Sequence, residues 1–220
     1  MLRIGAFFMI IGICGFIGSG KNTAAEYFIE QGFEQYSFAG TLKDAVAAVF
    51  GWDRELLEGL TEEARIWREQ VDPWWAERLG MSNLTPRWVL QQWGTEVCRV
   101  GFHDDIWIAS LENKLRTAPG NVVISDCRFP NEIKAIKQAG GKVIWVQRGE
   151  LPNWYSVAIL DNNTTGHYAR DNMDKKQVGM KYQFPDVHAS EWAWVGTKFD
   201  LEIENNGTVE ELFAQLKNLV

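Results

Sequence analysis

Three glycines, a serine, a lysine and a threonine fall within the run Gly15-Phe16-Ile17-Gly18-Ser19-Gly20-Lys21-Asn22-Thr23. The chemistry these types offer at this spacing is the cradling of a polyphosphate. Gly15, Gly18 and Gly20 let successive backbone N–H groups turn inward around an anion, and Lys21 brings a point charge to the β and γ oxygens. A helix opening near Lys21 would add the positive end of its dipole. One position departs from the pattern: Asn22 stands where a hydroxyl residue is expected to hold Mg²⁺, and the hydroxyl arrives only at Thr23. Without a ligand the same residues would be a glycine-rich turn. The apolar run Phe7–Cys14 before them and the periodic Ala24, Phe28 and Ile29 after them supply the strand and helix that a phosphate loop requires.

A second group of reactive types follows the apolar run Asn121-Val122-Val123-Ile124-Ser125. Asp126 ends that predicted strand, where α/β folds place ligand groups, and is the natural carboxylate on the Mg²⁺ side of a phosphate loop. Arg128 projects from the same loop and Glu132 lies one turn into the next helix. These three could form a self-contained ion cluster; beside a polyphosphate, Arg128 reads as an anion ligand. Lys43, Arg65 and Arg87 open or lie within helices near the expected mouth of the sheet. Each alone is most simply a solvated surface charge, but transfer between two phosphates needs a second anion site. Trp93 and Trp107 read as packed aromatics before base-stacking platforms. His188-Ala189-Ser190-Glu191 fits either a small polar turn or part of a flap over phosphates.

The elements that must hold these groups alternate. After the loop, a helix runs to about Gln31 and stops at Gly32, and a short strand spans Phe33 to Phe38. Gly40–Phe50 reads as an amphipathic helix with Leu42, Ala45, Val46 and Val49 inward, closed by Gly51. Residues 52–84 are rich in Trp and charge and weakly periodic, which predicts short exposed helices. Thr85 as N-cap and Pro86 at the first position open a helix reaching about Arg99, and another spans Asp104 to Arg116. A strand over Asn121–Asp126, a helix from Pro130 to the Gly140-Gly141 pair, and a strand over Lys142–Gln147 follow. Residues 149–187 break the alternation and read as a long loop or flap. A strand over Phe199–Ile203, an Asn205-Asn206-Gly207 turn and a Thr208/Glu211 capping box for the last helix complete the chain. Strands alternating with helices predict a parallel, doubly covered sheet.

The 220 residues suffice for one large α/β domain, and 46% hydrophobic with 23% charged residues is ordinary globular composition. A net charge of -7 without a Lys/Arg cluster argues against a nucleic-acid partner and leaves single nucleotides as ligands. Cys14, Cys98 and Cys127 are odd in number and widely spaced, which fits a reducing cytoplasm better than a disulfide framework. His103, His167 and His188 lack zinc-ligand spacing. The N-terminal apolar run lacks a convincing cleavage site and is too short to span a bilayer, so it reads as a buried first strand.

Taken in order, Gly15 to Thr23, Phe38-Ala39-Gly40-Thr41-Leu42-Lys43-Asp44-Ala45, Arg87-x-x-x-Gln91-x-x-Gly94-Thr95-Glu96, Trp107, Ser125-Asp126-x-Arg128-x-x-x-Glu132 and His188-x-Ser190-Glu191 resemble the bacteriophage deoxynucleoside monophosphate kinases. In that family Asp or Asn and then Thr follow the loop lysine, so Asn22 counts for the match. The resemblance covers most of residues 9–148 and 188–219. It implies ATP + dNMP → ADP + dNDP on a single P-loop kinase domain, residues 1–220. That domain would be a three-layer α/β fold with a parallel central sheet, a helical acceptor-binding insertion over 52–118 and a flap or lid over 149–187. It further implies that Gly15, Gly18, Ser19, Gly20, Lys21, Asn22 and Thr23 hold the ATP phosphates, with Asn22, Thr23 and Asp126 on Mg²⁺. Lys43, Arg87, Gln91, Gly94, Thr95, Trp107, Arg128 and Glu132 would form the acceptor site, to which Arg65 is added by its type alone, since residues 52–84 depart from the family pattern. A phage-encoded chain of this kind would work in the infected cell's cytoplasm; monomer and homodimer both stay open.

An acceptor phosphate has a second pKa of about 6, so at neutral pH it needs no strong general base. The work is alignment of two anions and neutralisation of the transferring phosphoryl, which falls to Lys21, Mg²⁺, Arg128 and Arg87, with the catalytic carboxylate Asp126 lying between the two phosphate sites. The alternative is a P-loop kinase acting on a metabolite hydroxyl, as dephospho-coenzyme A kinase does, with Asp126 or Glu132 as base. Lys43, Arg87 and Arg128 together favour an anionic acceptor. A guanine-specific switch would carry Asn-Lys-x-Asp; Asn113-Lys114 continues Leu115-Arg116.

Overall fold

The computed structural model describes residues 9–118, 120–164 and 179–219. These fall into two compact units, one drawn from Met1–Ser37 with Lys114–Val220 and the other from Phe38–Asn113.

The first unit is built on five parallel strands: β1 (Ile10–Cys14), β2 (Glu34–Tyr36), β3 (Val122–Ile124), β4 (Lys142–Gln147) and β5 (Leu201–Glu204). Their order is β2-β3-β1-β4-β5, so β1 is central and every neighbour runs parallel to it or to the next strand out. Alternation along β1 assigns its two faces. Ile11 and Ile13 join a core with Phe28, Val123, Ile144, Ile203 and Leu212, beneath helices α1 (Lys21–Glu30) and α12 (Val209–Leu216). On the opposite face Gly12 lies under α8 (Pro130–Gln138), so close that a Cβ would meet Ile136 Cδ1 at 2.6 Å and Cys127 Sγ at 3.1 Å. Helices on both faces of a parallel sheet, with the glycine loop between β1 and α1, make this the three-layer P-loop kinase architecture that the sequence predicts.

Local chemistry fixes the element ends. Thr208 Oγ1 accepts from Glu211 N at 3.3 Å while Glu211 Oε2 accepts from Thr208 N at 2.9 Å, the capping box expected for α12. Two helices present faces rotated from the expected ones. In α1 the buried residues are Ala24, Ala25 and Phe28, and Ile29 is exposed. In α2 (Gly40–Phe50), Leu42, Val46 and Phe50 form a strict four-residue stripe, leaving Ala45 and Val49 outside; Phe50 outcompetes the smaller residues for the interior. The stretch after residue 149, expected as an irregular loop, includes α9 (Tyr155–Thr164). Trp154 and Tyr155 at its start pack on Phe16 of the glycine loop with centroids 5.4 and 6.1 Å away, so tertiary contacts anchor a helix whose apolar run, Val157–Leu160, is short. Short helices α10 (Met180–Gln183) and α11 (Ala189–Trp192) precede β5; Thr165, Gly166 and His167 lie outside the described residues.

The second unit is helical. After α2 come α3 (Arg54–Glu58), α4 (Glu62–Glu69) and α5 (Pro73–Leu79), the short helices expected for the Trp-rich stretch. Thr85 Oγ1 caps α6 (Pro86–Gln91) by accepting from Trp88 N at 3.1 Å. The helix expected to continue to Arg99 instead widens into a π-helix over Gln92–Val100. Gly94 permits this register: a Cβ there would lie 2.9 Å from Leu42 Cδ2, so the bare backbone lets the wide turn approach α2. α7 (Ile106–Leu115) leads back to the first unit. Among the described residues no helix is long and apolar enough to cross a membrane.

Candidate active site

The site grows from the carboxyl ends of adjacent strands. With β2, β3 and β1 side by side, the chain leaves β1 into Gly15–Gly20, leaves β3 into Ser125–Arg128 and leaves β2 at Ser37. The loop is held by backbone geometry: Ser19 N donates to Phe16 O at 3.2 Å, and Ala24 N to Gly20 O at 2.9 Å as α1 begins. Gly15 has no room for a side chain, since a Cβ would lie 2.4 Å from Val146 O and 2.5 Å from Ser19 Oγ. Gly20 is required twice over. Its φ of 94° is left-handed, and a Cβ would lie 2.2 Å from Asn205 Nδ2.

Two features of this loop suit an anion. Ser19 is 2% exposed, and its buried Oγ has no hydrogen-bond partner among the described residues. A buried hydroxyl of this kind calls for an acceptor or donor that the protein itself does not supply. The Lys21 ammonium donates to Phe16 O at 2.6 Å, folded back over its own loop. Its pKa is pushed down to about 8, first by burial and then by the positive charge of Arg128, against the opposing pull of Glu191, Cys14 and Asp126. A lysine held in this state gains by meeting a polyphosphate, which would restore its full charge. Polyphosphate therefore fits the residues present.

Asp126 is half-buried and its Oδ2 accepts from the Ser37 hydroxyl at 2.6 Å. One residue back, Ser125 Oγ accepts from Gln35 Nε2 at 3.1 Å. Asn22 is exposed and Thr23 half-buried in the first turn of α1. Oxygen donors of this type match a hard divalent cation. Arg128 Nη1 donates to Glu191 Oε1 at 2.9 Å. Burial opposes the Arg128 charge, but Glu191 and Asp126 more than offset it, so its pKa lies above the ordinary value. Glu132 is 3% exposed, and its Oε2 accepts from Arg128 N at 2.7 Å and from Phe129 N at 3.1 Å. Its carboxylate thus shapes the loop that carries Arg128.

In the helical unit, Lys43 is paired with Glu58 at 2.5 Å, within a chain that continues through Arg54 to Asp44. Arg87 Nη1 donates to Glu69 Oε1 at 3.0 Å. Arg65 is spent on main chain, donating to Gly59 O at 3.2 Å and Leu60 O at 3.1 Å. Trp107 is packed, and its indole N–H donates to Gly94 O at 2.8 Å, so two of the sequence-singled residues meet directly. Gln91 ends α6, and Thr95 sits half-buried in the π-helix beside buried Gly94. Trp93 packs edge-on to Phe50 with centroids 5.4 Å apart.

The chain is 30% identical over 228 residues to a putative deoxynucleotide monophosphate kinase of Acanthamoeba polyphaga mimivirus, covering 96% of both chains. It belongs to the deoxynucleotide monophosphate kinase family. A second relative, the deoxynucleoside-5'-monophosphate kinase of Escherichia phage T5, is 26% identical over 180 residues, covering 59% of this chain and 72% of that one. Among solved structures, TT1252 from Thermus thermophilus aligns over 97% of each chain at 20% identity with a TM-score of 0.42. No family model matches the chain.

Two residues that sequence reasoning gave no part in the site, Ser37 and Asn205, and one that it quoted without a role, Glu191, take part in it. Ser37 holds Asp126, but only the β2-β3 neighbour relation brings them together. Asn205, read as a turn residue, is buried and donates to Ser19 O at 2.9 Å, bolting the phosphate loop from 186 residues away. Glu191 pairs with Arg128. No local spacing encodes any of the three.

Proposed function

We propose that this member of the kinase family transfers the γ-phosphoryl group of ATP to a deoxynucleoside 5'-monophosphate, giving ADP and the deoxynucleoside diphosphate. What carries the reading is the convergence of Lys21 and Arg128 at the mouth of a parallel sheet, on a glycine loop with an unsatisfied buried hydroxyl, in a chain whose relatives bear this activity in their names.

Gly15, Gly18, Ser19 and Gly20 wrap the donor phosphates with main-chain N–H groups, and Lys21 leaves Phe16 O to meet the β and γ oxygens. Thr23, Asp126 and the Asn22 carboxamide would hold Mg²⁺, which would supply positive charge to the phosphates. Ser37 restrains the Asp126 carboxylate through its hydrogen bond. Arg128 neutralises charge on the transferring group, on a loop that Glu132 holds rigid through two main-chain N–H groups. Acceptor recognition belongs to the helical stretch 52–118 with Lys43 ahead of it. Arg87 and Lys43 would exchange Glu69 and Glu58 for the acceptor phosphate. Gln91, Gly94 and Thr95 would present polar edges from the widened helix, with Trp107 fixing the Gly94 carbonyl. The acceptor phosphate is already nucleophilic near neutral pH, its second pKa being about 6, so no side chain is asked to act as a strong base.

The test is product identity. Incubation with γ-labelled ATP, Mg²⁺ and the four deoxynucleoside monophosphates should place label in at least one deoxynucleoside diphosphate. Label only in inorganic phosphate would overturn the proposal.

A further inference from the structure

His188-Ala189-Ser190-Glu191 is the one sequence-singled motif to which the phosphotransfer reading gives no task. The structure shows it to be a small rigid mount. His188 caps α11: its Nδ1 accepts from Ser190 N at 3.2 Å and lies 2.9 Å from Ser190 Oγ. Ser190 is buried, and the Glu191 side chain is 16% exposed against 41% for its partner Arg128. The carboxylate is therefore the better-packed member of the pair and the guanidinium the arm.

The charges around this pair explain why a mount is needed. Arg128 acts on Lys21 as a repelling neighbour, while Glu191 and Asp126 act on it as attracting ones. Two cations brought to one loop mouth push each other outward, and Arg128, on a long side chain, is the one that can leave. Asp126, on the same loop as Arg128 and bonded to Ser37, and Glu132, which accepts from main-chain N–H groups, add negative charge near the guanidinium. Glu191 reaches the guanidinium from another element, at hydrogen-bond distance. A guanidinium presents five N–H donors, so one carboxylate contact anchors it and leaves donors for an anion.

We propose that Glu191 is a positioning residue that holds Arg128 beside Lys21 against their mutual repulsion, so that both cations are preset for one phosphate group. This rests on the phosphotransfer reading for its consequence in turnover, but the preset itself is a property of anion binding.

The two consequences separate experimentally. On the full chain, Glu191→Gln, Arg128→Ala and the double variant are compared with wild type for affinity toward inorganic tripolyphosphate by calorimetry. They are also compared for ADP formation from ATP and Mg²⁺ with the four deoxynucleoside monophosphates. Simple electrostatics predicts that removing a carboxylate next to an anion site tightens anion binding. Positioning predicts the opposite sign: Glu191→Gln weakens tripolyphosphate about fivefold or more in the wild-type background and changes it less than about twofold once Arg128 is Ala. Turnover should fall about tenfold or more in the first background and about twofold or less in the second, with the KM for the acceptor unmoved. Tighter tripolyphosphate binding, higher turnover or equal losses in both backgrounds would overturn the inference. Glu191→Asp keeps the charge and the fold but shortens the reach by one methylene; it should behave like Glu191→Gln, and wild-type behaviour would count against positioning. A wild-type chain silent toward every acceptor would instead refute the phosphotransfer reading, and the tripolyphosphate cycle would still decide this one.

Discussion

Binding of a polyphosphate at alkaline pH should take up a proton, and Lys21 sets the amount. In the free protein burial and Arg128 hold its pKa down to about 8. A phosphate on the ammonium favours the charged form and returns the pKa to at least its ordinary value of about 10.4. The protonated fraction of a group with a pKa of 8 is about one half at pH 8 and about one tenth at pH 9. Uptake on binding is therefore about 0.1 proton at pH 7, about 0.5 at pH 8 and about 0.9 at pH 9. The same linkage weakens the apparent affinity about twofold at pH 8 and about tenfold at pH 9 relative to neutral pH. The assay is calorimetric titration with a non-hydrolysable ATP analogue at fixed Mg²⁺. It is run at each pH in two buffers of different ionisation enthalpy, which reads the protons directly. Lys21→Met should abolish the alkaline uptake. Uptake that stays flat from pH 7 to pH 9, or that survives in Lys21→Met, would refute the picture of a buried ammonium waiting for an anion.

The same lysine should cost stability in the free protein: its folded pKa lies below its unfolded one, so the unfolded chain holds more protons between about pH 8 and 10.5. Lys21→Met should accordingly raise the stability of the ligand-free protein at pH 7 by about 1–3 kcal/mol in chemical denaturation while lowering turnover by orders of magnitude. Gly20→Ala forces a Cβ onto Asn205 Nδ2 at a left-handed φ, and should cost about 2 kcal/mol or more and weaken ATP in calorimetry; Gly18→Ala, with nothing within 4 Å, should cost less. Ser37→Ala frees Asp126 from its 2.6 Å hydrogen bond and should raise the Mg²⁺ concentration for half-maximal rate by about tenfold without changing the KM of the acceptor. Trp107→Phe removes the donor to Gly94 O and should cost about 1–2 kcal/mol in thermal melts.

What the sequence made legible was whatever is encoded within one turn or one strand. The glycine loop, the Thr85 and Thr208 caps and the Lys142–Gln147 strand each depend on neighbours a few residues away. Amphipathic faces were legible to within one helical stripe: Leu42 and Val46 point inward in α2, but Phe50 displaces Val49 because the larger ring buries more area. The π-helix was hidden because Gly94 matters only through the approach of Leu42 from α2. Helix α9 was hidden because its apolar run Val157–Leu160 is short and leads into the polar residues 161–164, and because its anchoring aromatics, Trp154 and Tyr155, find Phe16 from far along the chain. In the candidate site the same division holds. Lys21, Asp126 and Arg128 announce themselves by type and position, while Ser37, Glu191 and Asn205 act through contacts with residues far away in the chain. Lys43 and Arg87 were legible as cations, but their carboxylate partners Glu58 and Glu69 were not.

ADP release from ATP and Mg²⁺, measured against deoxynucleoside monophosphates, ribonucleoside monophosphates and dephospho-coenzyme A in parallel, decides whether the chain phosphorylates deoxynucleotides. Strong stimulation by one or more deoxynucleoside monophosphates, with none from dephospho-coenzyme A, is the predicted result and would reveal the base preference at once. Release that is indifferent to every acceptor, or that answers only to the hydroxyl substrate, would contradict it.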